Sequence, residues 1–142
     1  MTEVSFYTFA ENKLGVARQL TAKAVSRGLR VRIYAPDAAI ADAMDRLLWT
    51  TPAHGFLPHC RATHALAADT PVLIGEQAEA LTQADVMINL HYERPPAFSR
   101  FQRLLEIVST TPEDIEQGRQ RYRFYRERGY ALTTVDLRST AQ

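Results

Sequence analysis

The first fifty residues alternate strand-type and helix-type patterns twice, and that alternation limits the fold more than any other feature of the chain. Val4 to Phe9 is a β-type run. From about Asn12 the period changes to that of a helix, with Leu14, Ala17, Leu20, Thr21, Ala24 and Val25 on one side, and Gly28 stands where a helix stop is expected. Val31 to Ala35 alternates again, and Pro36-Asp37 opens a second helix with Ile40, Ala43, Met44 and Leu47 as its core stripe. Strand, helix, strand, helix implies an α/β domain with a mainly parallel sheet, because right-handed crossovers return each strand beside the last. At 142 residues, residues 1–142 make one domain. With 46% hydrophobic residues and only six glycines and seven prolines, the chain carries enough apolar surface for a real core.

Further along, the order is less regular. Thr50 to Thr70 loses periodicity and reads as a long loop. Pro71 to Ile74 and Ala84 to Leu90 are β-type runs separated by nine residues, short for a parallel crossover, which predicts an antiparallel pair and a mixed sheet. Phe98, Phe101, Leu104 and Leu105 predict a short helix running into an Ile107-Val108 strand, followed by a last helix and an alternating strand from Tyr130 to Val135.

Several chemistries lack their sequence signature. The first strand-helix turn, FYTFAENKLG, has no G-x-G-x-x-G, and no G-x-x-x-x-G-K-[ST] occurs, so no phosphate cradle and no cofactor are expected. His54, His59 and His64 flank Cys60 within eleven residues, but without a C-x-x-C pair or H-E-x-x-H, and a loop of solvated or capping rings explains them without a metal. Cys60 beside His59 is an adjacency in sequence, not the spatial pair that nucleophilic catalysis needs. Asp37 and Asp85 fall near strand ends, where a helix start and a turn account for them. The single cysteine gives no internal disulfide, the acidic N-terminus does not resemble a secretory signal, and no apolar run nears the roughly 20 residues of a membrane span, so the default address is the cytoplasm.

The formal net charge is only +1, so a basic site must be local. It is found in the last helix. Thr111-Pro112-Glu113-Asp114 supplies an N-cap, a proline at the first helical position and the T-x-x-D spacing of a capping box. Arg119 to Arg128 then holds five arginines and one acid. At 100° per residue Ile115, Tyr122 and Tyr125 share the core side, with Arg119, Arg123 and Arg126 along its edge. A cationic rim beside aromatic surface suits an acidic peptide with an apolar tip, since guanidinium forks bind carboxylates and a tyrosine walls an apolar slot. A simpler account is a cationic helix end that complements the dipole. A second special surface is DRLLWTTPAHGFLPH, where Trp49 points about 180° away from Ile40 and Phe56 and Leu57 follow. Off-core aromatic and aliphatic groups are what an interface centre presents, and a loop folded back as a core satellite is the alternative.

Taken in order, these segments resemble the chi subunit family of bacterial DNA polymerase III, accessory proteins of the clamp loader. The shared elements are Phe6-Tyr7, then L-W-x-x-P-x-x-x-F-x-P-H from Leu48 to His59, and P-V-x-I from Pro71 to Ile74. D-x-x-I-x-L from Asp85 to Leu90 follows, with F-x-x-F ahead of E-I-V between Phe98 and Val108. The last is R-x-R-Y-[KR]-x-Y-R-x-x-G-[YF] from Arg119 to Tyr130. The resemblance implies a Rossmann-like three-layer α/β fold without nucleotide chemistry, acting as a non-enzymatic replisome adaptor. It implies binding of the acidic C-terminal tail of single-stranded DNA-binding protein at Arg119, Tyr122 and Arg123, where the family commonly has lysine in place of Arg123. It also implies binding of the psi subunit of the clamp loader at Trp49, Pro52, Phe56, Leu57 and Pro58, with DNA touched only indirectly. Readings of other classes are a small α/β enzyme using Asp37, Asp85 or His59 at the strand ends, or a direct single-stranded DNA binder using the arginine and tyrosine rim.

Overall fold

The computed structural model describes residues 2–50, 59–61, 70–77 and 85–140. Seven strands form one sheet: β1 (Glu3–Ala10), β2 (Val31–Tyr34), β3 (His59–Arg61), β4 (Val72–Gly75), β5 (Val86–Asn89), β6 (Arg103–Ser109) and β7 (Ala131–Asp136). The spatial order is β3-β4-β2-β5-β6-β1-β7, and every adjacent pair is parallel. Helices α1 (Lys13–Ser26) and α2 (Ala38–Thr50) cover one face and α3 (Pro112–Glu127) the other, with a final turn, α4 (Leu137–Thr140), after β7. The result is the three-layer α/β arrangement expected of a Rossmann-like chain.

The antiparallel pair expected downstream is overturned. β4 and β5 do not touch; they flank β2, with Val72 and Val86 both opposite Val31. Four-residue strands are only about 13 Å long, so the return to the start of a parallel strand is short enough for the few residues available. The long loop is corrected as well, because His59–Arg61 forms the edge strand β3, too short to show periodicity. Phe98–Arg100 is a single 3-10 turn rather than the start of a helix, and Leu104 and Leu105 belong to β6. Held between β5 and β1, β6 is buried from Leu104 to Val108. A strand covered on both faces reads as a continuous apolar run instead of an alternation, which is why its pattern resembled a helix.

Local signals hold up better. The Asn12 side chain accepts from the Gly15 amide at 3.0 Å, capping α1, and Gly28 ends that helix at φ +77°. Asp37 Oδ1 accepts from the Ala39 amide at 2.8 Å and caps α2. The α2 stripe is rotated by one position: Ala41, Met44 and Leu48 are buried, while Ile40 packs from the flank. Trp49 faces away from the core, as the wheel predicts, and is 61% exposed. Among the described residues no helix is long and apolar enough to cross a membrane.

Candidate protein-binding cleft beside the last helix

The start of α3 is fixed by three short-range devices. Thr111 Oγ1 accepts from the Asp114 amide at 3.3 Å, and Pro112 occupies the first turn. Asp114 does not return its carboxylate to the cap residue, as a full capping box would; its Oδ2 accepts from the Ser109 amide at 2.7 Å and lies 3.4 Å from Lys13 Nζ. This ties the helix to the end of β6. Burial pushes the Asp114 carboxyl up, but the Ser109 amide and the Lys13 ammonium outweigh it, and its pKa lies below the usual carboxylate range.

The inner face of α3 differs from the wheel. Gly118, Arg121 and Tyr125 are the buried residues, with Ile115 and Tyr122 only partly covered. Gly118 is required by close approach: a Cβ there would meet Val108 Cγ2 at 2.7 Å. Arg121, counted in the sequence as part of the cationic excess, turns inward to Glu106 on β6. Glu106 is fully buried; it accepts from Arg121 Nε at 3.0 Å, Asn89 Nδ2 at 2.9 Å and the Tyr125 hydroxyl at 2.7 Å. Arg121 also donates through Nη1 to the Tyr92 carbonyl. Burial pushes the Glu106 pKa up, opposed by the charge of Arg121 and the donors of Tyr125 and Asn89. Burial and the neighbouring carboxylate also raise the Tyr125 phenol, which keeps its proton to donate. Sequence reasoning missed this network, although a glutamate inside the apolar run Leu104 to Val108 was its visible trace.

On the side of α3 facing β1 and β7 is a cleft of about 240 Å³ whose lining includes Phe6, Phe9, Ile115, Gly118, Arg119 and Tyr122. Its walls are mostly aromatic or aliphatic. The Tyr122 ring stands edge-on to Phe6 at 5.3 Å between centroids. Arg119 is exposed at the rim, 3.8 Å from Glu116. Arg123 is exposed and follows Tyr122 on the solvent side without entering the lining, and Arg126 is exposed one turn further. Arg128 departs from the rim, stacking over Phe124 at 4.5 Å, where Arg94 also packs at 3.8 Å. Of the three residues expected to bind a tail, two therefore line one apolar slot and the third stands beside it. Phe9 was not singled out from sequence.

At the second surface, Trp49 stacks edge-on against His59 at 5.1 Å, and His59 Nε2 lies 3.2 Å from Asp45. Pro52, Phe56, Leu57 and Pro58 lie outside the described residues, as do His54 and His64. The candidate acid/base residues do not converge. Asp37 caps α2 beyond the C-terminal end of β2, whereas Asp85 precedes β5 and accepts from the Arg30 amide at 2.8 Å at the opposite end of the sheet.

A parallel α/β sheet with an apolar slot under a cationic helix edge defines a Rossmann-like protein that carries a cleft beside its last helix. The family profile described as "DNA polymerase III chi subunit, HolC" matches residues 1–133. The chain belongs to this family of replisome accessory subunits. It is 34% identical over 93% of its length to DNA polymerase III subunit chi of Pseudomonas aeruginosa, covering 94% of that protein. It is 29% identical to the Haemophilus influenzae subunit chi over 93% of the chain and 95% of that protein. The figures for the Escherichia coli subunit chi are 28% over 82% of the chain and 80% of that protein.

Proposed function

We propose that the protein is a non-catalytic adaptor that captures the acidic C-terminal tail of single-stranded DNA-binding protein in the cleft beside α3 and links it to the clamp loader through the psi subunit. The observation that carries the reading is the pairing of an apolar slot, walled by Phe6, Ile115 and Tyr122, with Arg119 at its rim and Arg123 beside it. The slot takes the apolar tip. The exposed guanidiniums meet the carboxylates, steering the flexible tail and fixing its direction. Such contacts are individually weak and gain from many tails presented on one coated strand. They also weaken with salt.

The psi-facing half of the proposal rests on Trp49, a large aromatic side chain exposed at the end of α2 and supported from below by His59. Pro52, Phe56, Leu57 and Pro58 follow it in sequence and complete the apolar surface in this reading. The two surfaces are independent: α2 and α3 lie on opposite faces of the sheet.

A fluorescence-anisotropy titration with a labelled copy of the tail, run on the wild type and on Arg123→Glu, tests the first half. Saturable binding that falls with salt and is lost in the variant is the expected result. Equal affinity in the variant removes the site. For the second half, Trp49→Ala is expected to lose capture of the psi subunit while keeping the tail peptide, and retained capture removes that surface.

A further inference from the structure

The flank of α3 away from the tail cleft borders a larger groove, about 840 Å³, whose other wall is the turn from Tyr92 to Ser99. Gln117 and Gln120 line it from the helix, about 200° around from Arg119 and Tyr122, and the two depressions share no residue. Arg121 also belongs to the lining, although it is almost wholly buried. Its Nε donates to Glu106 and its Nη1 to the Tyr92 carbonyl, but its Nη2 is buried with no hydrogen-bond partner among the described residues. Glu106 balances the charge of Arg121 without using this donor. A buried donor left unmade costs stability, and an acceptor arriving from outside the fold removes that cost.

A second guanidinium is fixed at the same groove. Arg94 is exposed and lies over the Phe124 ring at 3.8 Å, which holds the plane of its fork. Glu93 is the acid of the lining, and it lies 3.5 Å from His91 Nε2. Tyr92 is 50% exposed, with the His91 ring packed against its own at 4.1 Å between centroids, so an aromatic surface stands supported at the lip. Two guanidiniums suit an oxyanion, an exposed ring suits a flat aromatic partner, and two primary amides, each both donor and acceptor, suit a base edge. We infer that this groove is a binding site for a nucleoside phosphate, with the phosphate on Arg94 and Arg121 Nη2 and the base on Tyr92, Gln117 and Gln120. A carboxylate alone would satisfy the guanidiniums and leave the ring and the amides unused. The volume is that of a small-molecule site. Side chains supply here what a glycine-rich loop supplies through its backbone, so the absence of that loop from the sequence does not bear on this groove. The same chemistry reaches it as a free nucleotide or as one unit of a single strand, and it does not rest on the tail reading.

The test uses the full chain with dAMP, deoxyadenosine, inorganic phosphate and a single-stranded deoxyadenylate tetramer as probes, followed by amide and arginine side-chain chemical shifts. Saturable dAMP shifts are expected at Ser99, Gln117 and Gln120, together with movement of the Arg121 Nε–H signal. Deoxyadenosine and phosphate are each expected to bind at least tenfold more weakly than dAMP. Arg94→Glu is expected to weaken dAMP at least tenfold while leaving affinity for the tail peptide within twofold, and Tyr92→Ala to weaken dAMP several-fold. No saturable dAMP shift, phosphate binding as tight as that of dAMP, or unchanged dAMP affinity in Arg94→Glu overturns the site. Displacement of dAMP by the tail peptide puts both in one cleft and overturns it as well. An acetylated tetraglutamate peptide that gives the same shifts at lower concentration than dAMP overturns the nucleoside and makes the groove a peptide site. Tetramer binding at least tenfold tighter than dAMP supports the site with a strand as its source, and equal binding supports it with the free nucleotide. Intact dAMP binding by a protein that fails to bind the tail peptide keeps this site and removes the tail reading alone.

Discussion

Arg121 and Arg119 stand two residues apart on one helix and have opposite fates. Arg121 is 4% exposed and spends its charge on Glu106 inside the protein, whereas Arg119 is mostly solvated at the cleft rim with only a long contact to Glu116. The two positions differ by 200° on the helix, so one faces the sheet and the other leaves it. Identical chemistry thus serves structure on one side of α3 and a candidate binding surface on the other. A count of positive charge along the sequence therefore overstates the rim.

The largest break in this comparison is expected from Arg121→Met. Removing the guanidinium leaves a buried carboxylate without its counter-charge, a change that costs about 3–5 kcal/mol. Urea denaturation measures it. With its pKa already raised by burial and now unopposed by Arg121, Glu106 contributes least at high pH, so the stability of the variant should fall as pH rises from the ordinary carboxylate range upward. The double variant Arg121→Met with Glu106→Leu should recover most of the loss, since an apolar replacement of both partners removes the charge to be compensated.

Next in size is Gly118→Ala, at the seam between the two sides. Alanine is the better helix former by about 1 kcal/mol, but its Cβ collides with Val108. Overpacking of this kind costs about 1–3 kcal/mol, and α3 must move off β6, so both stability and tail affinity are expected to drop. A variant more stable than the wild type in thermal melts would show that the seam has room.

Asp114→Asn should have a smaller effect, about 1 kcal/mol, from loss of a charged acceptor in the first turn of α3. Its sign against pH is definite. The folded-state pKa is below the ordinary value, so the contribution is present above the unfolded pKa and lost as pH falls through the folded one. Acid titration of stability should therefore show a shallower decline in the variant, with the difference from wild type vanishing at the lowest pH. Arg123→Glu sharpens the comparison from the outside: an exposed surface change should move stability by no more than about 0.5 kcal/mol, while tail binding is lost.

How much was legible follows from the range of the interactions involved. Asn12, Asp37 and Thr111 act on amides two or three residues away, so the starts of α1, α2 and α3 could be read directly. Arg119 and Tyr122, four and seven residues beyond Ile115, were placed by helical period, and both line the cleft. Phe9 was not legible, because its place in the cleft lies at a bulge defined by pairing with β6. The Glu106 network joins Asn89, Arg121 and Tyr125 across three elements, and only their packing gives those residues a common centre.

By itself the sequence determined the strand and helix alternation of the first fifty residues, the caps that start the helices and the three-layer α/β class, since these are local consequences of period and turn chemistry. Tertiary structure alone decided that β4 and β5 flank β2 instead of pairing, which arginine of α3 is buried, and that Phe9 lines the cleft. These depend on which distant segments meet, and burial, not residue type, then sets what each charge or ring can do.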